Sequence, residues 1–403
     1  MLACMSTRIA YIAQGKIHLL EPGRPARLIE SKFGQSVLDR ASQIQQRNAW
    51  KMKGTGARFM SGAALWGGNA GDATAIPMAV TGVSCGTQNG ELVYSIATDE
   101  ITGVFALRND AKEEQRLFHT ADFRISQLRA HPTEDRIACV VMGRGFSNIA
   151  VMRGDGCELS DVTQGDSIDR APSWVPGANH DVVYQSSGVA RDQKGNSVGV
   201  SAARIERLNA ESGEITTLLE DPHYDYLDPQ VDGAGNLYCI RKPTASLQRR
   251  FNPLRALLDL VLLPFRLLYA LFQFVNFFTA RYTGKTLVTS GDARQKRADM
   301  MQMMMLGNLM QAQHEAEAAV DRDKEGLVSR KWELLKKSTN GQEEVVQRGV
   351  LSFDLCADGS VVYTNGSRIF HLGSDGKTET LGKDELISQV LALPKNLTTD
   401  DTD

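Results

Sequence analysis

Ile125 to Thr163 reads ISQLRAHPTED-RIACVVMG-RGF-SNIAVMRGDG-CELSDVT: an apolar strand, a polar turn, a second strand, another turn and a third strand. β-Branched and apolar residues set between Gly, Asn and Asp turns mark short antiparallel strands. The same order recurs on both sides of it. Val80 to Thr120 reads VTGVSCGTQNG-ELVYSIAT-DEIT-GVFALRNDAK-EEQRLFHT. Asp169 to Asp221 holds DRAPSWVPGAN, DVVYQSS, ARIERLNAESG and EITTLLED. Gly349 to Leu381 holds GVLSFDLCADG, SVVYTNG, SRIFHLGSDG and KTETL.

The turn before the second strand falls at Gly90, Asp135, His180, Gly235 and Gly359. The first three are about 45 residues apart, the repeat length of four-stranded propeller blades. Two intervals are longer, and each is read as carrying an insertion. One blade begins with Leu227 to Pro243 and resumes at Ser329 with SRKWELLKKSTNGQ and EEVVQRG. The expected fold is an all-β propeller of six four-stranded blades with an α-helical insertion. In segments, residues 1–31 supply three strands of the first blade and 32–79 a helical, Gly-rich insertion. Residues 80–244 carry blades two to four and the start of blade five, and 245–328 an apolar, Met-rich helical insertion. Residues 329–383 finish blade five and form blade six, 384–393 give a closing strand for the first blade, and 394–403 an acidic tail. Closure by strand exchange leaves no open edge.

Asp169 to Gly177, DRAPSWVPG, resembles the P-x-W-S-P-D-G strand-and-turn of TolB-like, PD40-type (WD40-like) propellers. His131 to Ala138 and Asp228 to Gly233 are degenerate copies. Val175, Gly177 and Ala178 replace the usual Ser, Asp and Gly, and Trp174 is found in one copy alone. The resemblance covers most of the chain outside residues 32–79 and 245–328. It implies a propeller fold, and scaffold, sensor or peptidase-cap roles rather than one chemistry.

The chain has 403 residues, 42% of them apolar and 23% charged, with 45 Lys and Arg against 48 Asp and Glu. That composition excludes a disordered chain, a collagen-like fibre and a strongly basic nucleic-acid binder, so no nucleic-acid partner is expected. Cys4, Cys85, Cys139, Cys157, Cys239 and Cys356 form no CxxC or Cys/His cluster and read as buried free thiols of a reducing compartment. The N-terminus MLACMSTRIAYIAQ lacks a basic region followed by an apolar one, which makes the cytoplasm the expected location.

Motifs of chemistry are weak. Gly195-Asn196-Ser197-Val198-Gly199 has the GxSxG form, but a strand, not a helix, is expected after it, so Ser197 falls in a hairpin rather than a nucleophile elbow. Gly284-Lys285-Thr286 and Gly376-Lys377-Thr378 lack the upstream Gly of a phosphate loop, and His314-Glu315 lacks the second His of HExxH. Asp-Gly pairs such as Asp358-Gly359 are turn residues. No catalytic, cofactor-binding or metal-binding residue is assigned, and no cofactor.

Pro253 to Ala280 departs most from a plain propeller: PLRALLDLVLLPFRLLYALFQFVNFFTA. On a helical wheel Arg255, Asp259, Arg266 and Gln273 fall within about 40°, and nearly everything else is apolar. The uncharged run from Leu267 to Ala280 is short of the roughly 20 residues that span a bilayer. Between Ala245 and Asp299 there are nine Lys and Arg against three Asp. A wide apolar face with basic flanks suits a helix lying in an anionic membrane interface. The expected membrane contacts are Leu257, Leu260, Val261, Leu268, Leu271, Phe272, Phe274 and Phe278, with Arg249, Arg250, Arg281 and Lys285. The Met-rich stretch that follows offers Met301, Met305 and Leu309 as partner contacts. The expectation is a non-enzymatic scaffold or sensor, cytoplasmic and peripheral to the inner membrane, docking protein partners on the propeller face. Two rival readings stand beside it: a pore-forming or oligomerising protein whose amphipathic insertion makes the pore or the subunit interface, and a propeller hydrolase.

Overall fold

The computed structural model describes residues 8–36, 39, 78–88, 90–98, 101–108, 113–143, 146–178, 180–193, 197–244 and 326–394. The chain divides into two compact units, residues 1–34, 77–244 and 303–403 in one and 35–76 with 245–302 in the other, and every strand lies in the first. The assignments to Leu257, Leu260, Val261, Leu268, Leu271, Phe272, Phe274, Phe278, Arg249, Arg250, Arg281 and Lys285, and to Met301, Met305 and Leu309, lie outside the described residues. Of the insertion expected over 32–79, residues 32–36 are helical, beginning two residues earlier than Gly34. The Ser31 hydroxyl accepts the Gly34 N–H at 3.0 Å, the bond that an N-cap serine makes to the first turn. The Glu114 carboxylate takes the Ser31 hydroxyl and the Lys32 and Phe33 N–H groups, an anion at a helix N-terminus.

Strands β1 (Arg8–Ala13), β2 (Lys16–Leu20) and β3 (Arg27–Ile29) share a sheet with β25 (Ile387–Leu393), in the order β25-β1-β2-β3. β4 (Ala79–Cys85), β5 (Leu92–Ala97), β6 (Thr102–Arg108) and β7 (Glu113–Thr120) form an antiparallel meander. Next come β8 (Arg124–Ala130), β9 (Arg136–Gly143), β10 (Phe146–Arg153) and the short β11 (Ser160–Asp161). One parallel bridge, Ser147 to Ile168, links them to β12 (Ser167–Trp174), β13 (Asp181–Arg191), β14 (Ser197–Val200), β15 (Arg204–Asn209) and β16 (Ile215–Leu219). β17 (Tyr224–Val231), β18 (Leu237–Pro243), β19 (Glu333–Lys337) and β20 (Glu343–Arg348) make a further sheet. The last comprises β21 (Ser352–Leu355), β22 (Val361–Thr364), β23 (Arg368–Leu372) and β24 (Thr378–Lys383). The β18–β19 ladder pairs Cys239 with Leu335, so the meander continues across the long sequence interval between them. β25 pairs antiparallel with β1 from Arg8–Leu393 to Ala13–Ile387, a contact between opposite ends of the chain.

Burial explains the composition of each strand. LVYSIA of β5 and VVYT of β22 are buried along their whole length, because neighbouring sheets cover both faces. The fourth strands β7, β20 and β24 are largely exposed and read EEQRLFHT, EEVVQR and TETLGK. Apolar clusters lie between successive sheets. Ile12 and Ile17 meet Val83 and Tyr94; Val93 and Val104 meet Ile137 and Cys139; Val140 and Ile149 meet Tyr184 and Leu208. Ile205 and Leu219 meet Cys239 and Leu335; Ile240 and Leu334 meet Phe353 and Tyr363; Val362 and Ile369 meet Ile9, Tyr11 and Val390. Each sheet is thus packed against the next in chain order, and the last against the first.

Side chains also stitch the first strand of each sheet to the next. Gln389 on β25 exchanges both amide hydrogen bonds with the Val83 backbone, at 3.2 and 2.9 Å. Ser84 accepts the Ala130 N–H, Gln127 the Ala171 N–H and Gln185 the Asp228 N–H. Gln230 donates to the Phe353 carbonyl and accepts the Leu355 N–H, and Asp354 accepts the Ala392 N–H. These bonds satisfy backbone groups that lack a ladder partner where strands splay apart.

Candidate functional site: the channel between the first strands

β4, β8, β12, β17, β21 and β25 contribute residues to a channel made of two chambers that share lining residues. The wider, about 490 Å³, is lined by one residue from each of them at matching register: Ser84, Arg129, Ser173, Gln230, Asp354 and Ala392. Its rim carries Gln88, Pro132, Trp174, Pro176 and Pro394. The narrower, about 110 Å³, is lined by Thr81, Ser126, Gln127, Arg170, Asp228 and Ser352, among others. Arg129 and Gln230 border both chambers and form the waist between them.

At the waist Arg129 Nη1 lies 2.9 Å from Asp354 Oδ1, and the second Asp354 oxygen accepts the Ala392 N–H at 2.9 Å. Burial opposes the charge of Arg129, but Asp354 and Asp228 outweigh it and leave its pKa above the ordinary value. Burial raises Asp228 to about 6, with Arg129 pulling it down and Asp354 pushing it up. The Cys85 thiol is pushed up to about 12, chiefly by burial and further by Asp354, so it is protonated at neutral pH and is not an activated nucleophile.

The rim is held rigidly. Trp174 Nε1 donates to the Arg129 carbonyl at 2.9 Å, and its ring meets His131 edge-on with centroids 4.8 Å apart. His131 Nδ1 accepts the Glu134 N–H at 2.9 Å and the Thr133 N–H at 3.2 Å, which closes the turn into β9. Burial lowers the His131 pKa, with Glu134 opposing, so the neutral ring serves as a turn cap. The Trp of the DRAPSWVPG segment is therefore part of the channel mouth.

Ser197 begins β14, which pairs with the far end of β13 through Ala190–Gly199 and Val189–Val200. The chain then runs into β15, so the serine lies in strand context and not in a strand-to-helix elbow. Among the described residues no three His, Cys, Asp or Glu side chains come together as a metal-binding group. No described helix is long and apolar enough to cross a membrane. The described thiols differ from the expectation of burial: Cys139 and Cys239 are buried, Cys85 and Cys356 half-buried, and Cys157 is exposed, because it follows the turn Gly154–Gly156 after β10.

Sequence reading did not single out Arg129, Arg170, Asp228 or Asp354. The signal available was a charged residue just before the turn that ends a first strand, Arg129 in RISQLRA and Asp354 in LSFDL.

No family model matches the sequence, and no curated protein matches it. Solved structures do. TolB from Acinetobacter baumannii superposes with a TM-score of 0.50 at 10% identity, over 97% of this chain and 67% of that one. A TolB from Agrobacterium tumefaciens gives 0.43 at 12% identity, over 80% of this chain and 92% of that one. Tricorn protease gives 0.38 at 11% identity, over 96% of this chain and 34% of that one. The chain has a TolB-like β-propeller fold.

Proposed function

We propose that the chain is a protein-binding scaffold, a six-bladed propeller completed by β25, which docks a partner polypeptide at the wide end of its channel. The observation that carries this reading is the use to which the channel's polar side chains are put. Ser84, Gln127, Gln230, Asp354 and Gln389 are engaged in holding neighbouring first strands together. What faces outward is a concave mouth with Gln88, Pro132 and Pro176 exposed on its rim over the buried Trp174, a surface suited to recognising an extended chain. The circuit of strand-to-strand bonds and of apolar clusters supports six blades and closure. The TolB neighbours share this fold and add weight to a binding role. The segment 245–328, by its apolar face and basic flanks, is proposed to bring the propeller to an anionic membrane surface from the cytoplasmic side.

Peptides selected from a displayed random library on the wild-type protein test the docking site. Binders should lose tenfold or more in affinity to a double variant Gln88→Arg, Pro176→Arg, both exposed rim positions. They should be unaffected by Val198→Asp on β14. Binders indifferent to the rim variant, or a selection yielding none, would place recognition elsewhere.

A further inference from the structure

Arg170 lies on β12 immediately before the bulge at Ala171 and Pro172, and its side chain lines the narrow chamber of the channel. Its Nε is enclosed without a hydrogen-bond partner, and among the described residues no carboxylate pairs with it. Burial alone acts on its titration, pulling its pKa below the ordinary value. Arg129, the other guanidinium lining the narrow chamber, is matched by Asp354 at 2.9 Å. A guanidinium nitrogen shut off from water without a hydrogen-bond partner is costly even on a half-buried residue such as Arg170, and an anion beside it removes that cost. Thr81, Ser126 and Ser352 line the same chamber, with the Thr81 hydroxyl already donating to the Ile125 carbonyl.

We propose that the narrow chamber binds a single carboxylate, held by the guanidinium of Arg170. Only Arg170 is left to meet an anion, because Arg129 is already paired with Asp354, and the negative charge of Asp228 on the same chamber disfavours a dianion. The volume, about 110 Å³, admits a small acid or the last residue of a chain, not a folded segment. Both sources present the same chemistry, an oxyanion accepting paired N–H donors from the planar guanidinium. The proposal does not depend on docking at the wide mouth.

Calorimetry and thermal unfolding of the full chain at pH 7, in low-chloride buffer, test it with four probes: acetate, tri-alanine, tri-alanine amide and sulfate. Acetate or tri-alanine is expected to bind saturably and raise the unfolding midpoint, with affinity reduced at least tenfold in Arg170→Gln and partly kept in Arg170→Lys. Binding of acetate without tri-alanine assigns a free small acid. Binding of tri-alanine at least tenfold tighter than its amide assigns a chain terminus. The proposal is overturned if neither acid binds, if the amide binds as well as the acid, if sulfate binds more tightly than both acids, or if Arg170→Gln leaves affinity unchanged. Without ligand, Arg170→Gln should unfold at or above the wild-type midpoint, because it removes an unpaired cation. Should that variant fail to fold, the acid-against-amide comparison on the wild-type chain decides alone.

Discussion

Gln127, Ala171 and Asp228 take φ values of 51° at matching positions of β8, β12 and β17, a left-handed conformation that side chains disfavour. The ladders shift register across each of them, between Ser126 and Arg129, Arg170 and Ser173, and Leu227 and Gln230. At the latter two the displaced N–H is taken by the amide oxygens of Gln127 and Gln185. Such bulges bend a strand and re-aim its side chains, here toward the channel. At Asp228 the consequence is electrostatic. Its folded pKa, about 6, lies above the ordinary 3.8, so folding favours the neutral carboxyl. Well below pH 3.8 both states are protonated and the carboxyl carries no penalty. The penalty grows as pH rises and is complete above pH 6, at about 3 kcal/mol. Asp228→Asn keeps the shape, and Asn tolerates positive φ. Chemical denaturation should show the variant more stable than wild type by about 1–3 kcal/mol at pH 7.5, with the difference shrinking below pH 5 and vanishing near pH 3. Equal stabilities at both pH values would mean that burial does not act on this group.

Among whole elements, β25 is the most exacting. Ile387, Val390 and Leu391 are buried, Gln389 clamps β4, and the Ala392 N–H is held by Asp354 of β21. Removing the strand leaves the β1 edge unpaired and forfeits the burial of these three apolar side chains, each worth roughly 1.5–3 kcal/mol. Deletion of residues 384–403 should therefore lower the midpoint of the whole cooperative transition. Deletion of 396–403, polar and acidic in sequence, should leave it within about 0.5 kcal/mol. Urea unfolding of the two truncations decides the matter. A loss of similar size in both would show that β25 is dispensable.

For the molecule as a whole, the proposed membrane contact combines two unequal contributions. Each large side chain of the Leu257 to Phe278 set adds roughly 1.5–3 kcal/mol when buried in lipid. Arg249, Arg250, Arg281 and Lys285 each add about 1 kcal/mol near an anionic surface. Salt should therefore weaken flotation with anionic liposomes without abolishing it. Leu271→Asp with Phe274→Asp should abolish it while the propeller's unfolding midpoint stays unchanged. If the double variant still floats, or the wild type never does, the segment is not a membrane contact, and loss of an oligomer in the variant would assign it to a subunit interface.

The sequence by itself determined the local grammar of this protein. Runs such as ELVYSIAT and RIACVVMG appear as β5 and β9, mostly apolar because sheets cover both faces, and EEQRLFHT appears as β7, none of whose residues is buried. The second and fourth strands betray themselves because burial of every side chain, or of few, is written in consecutive residues. DRAPSWVPG likewise announced the fold, since its Trp and turn are local. The channel was not legible in the same way. Arg129 and Asp354 are 225 positions apart, and nothing near either one names the other. Asp228-Pro229-Gln230 reads as a turn signal, yet Gln230 bridges β17 to β21 and Asp228 lies beside the waist. Pairing across a closed set of sheets depends on where every intervening sheet sits. Strand periodicity is a local property of the chain, whereas which guanidinium meets a carboxylate, and which is left without one, is decided by the tertiary structure alone.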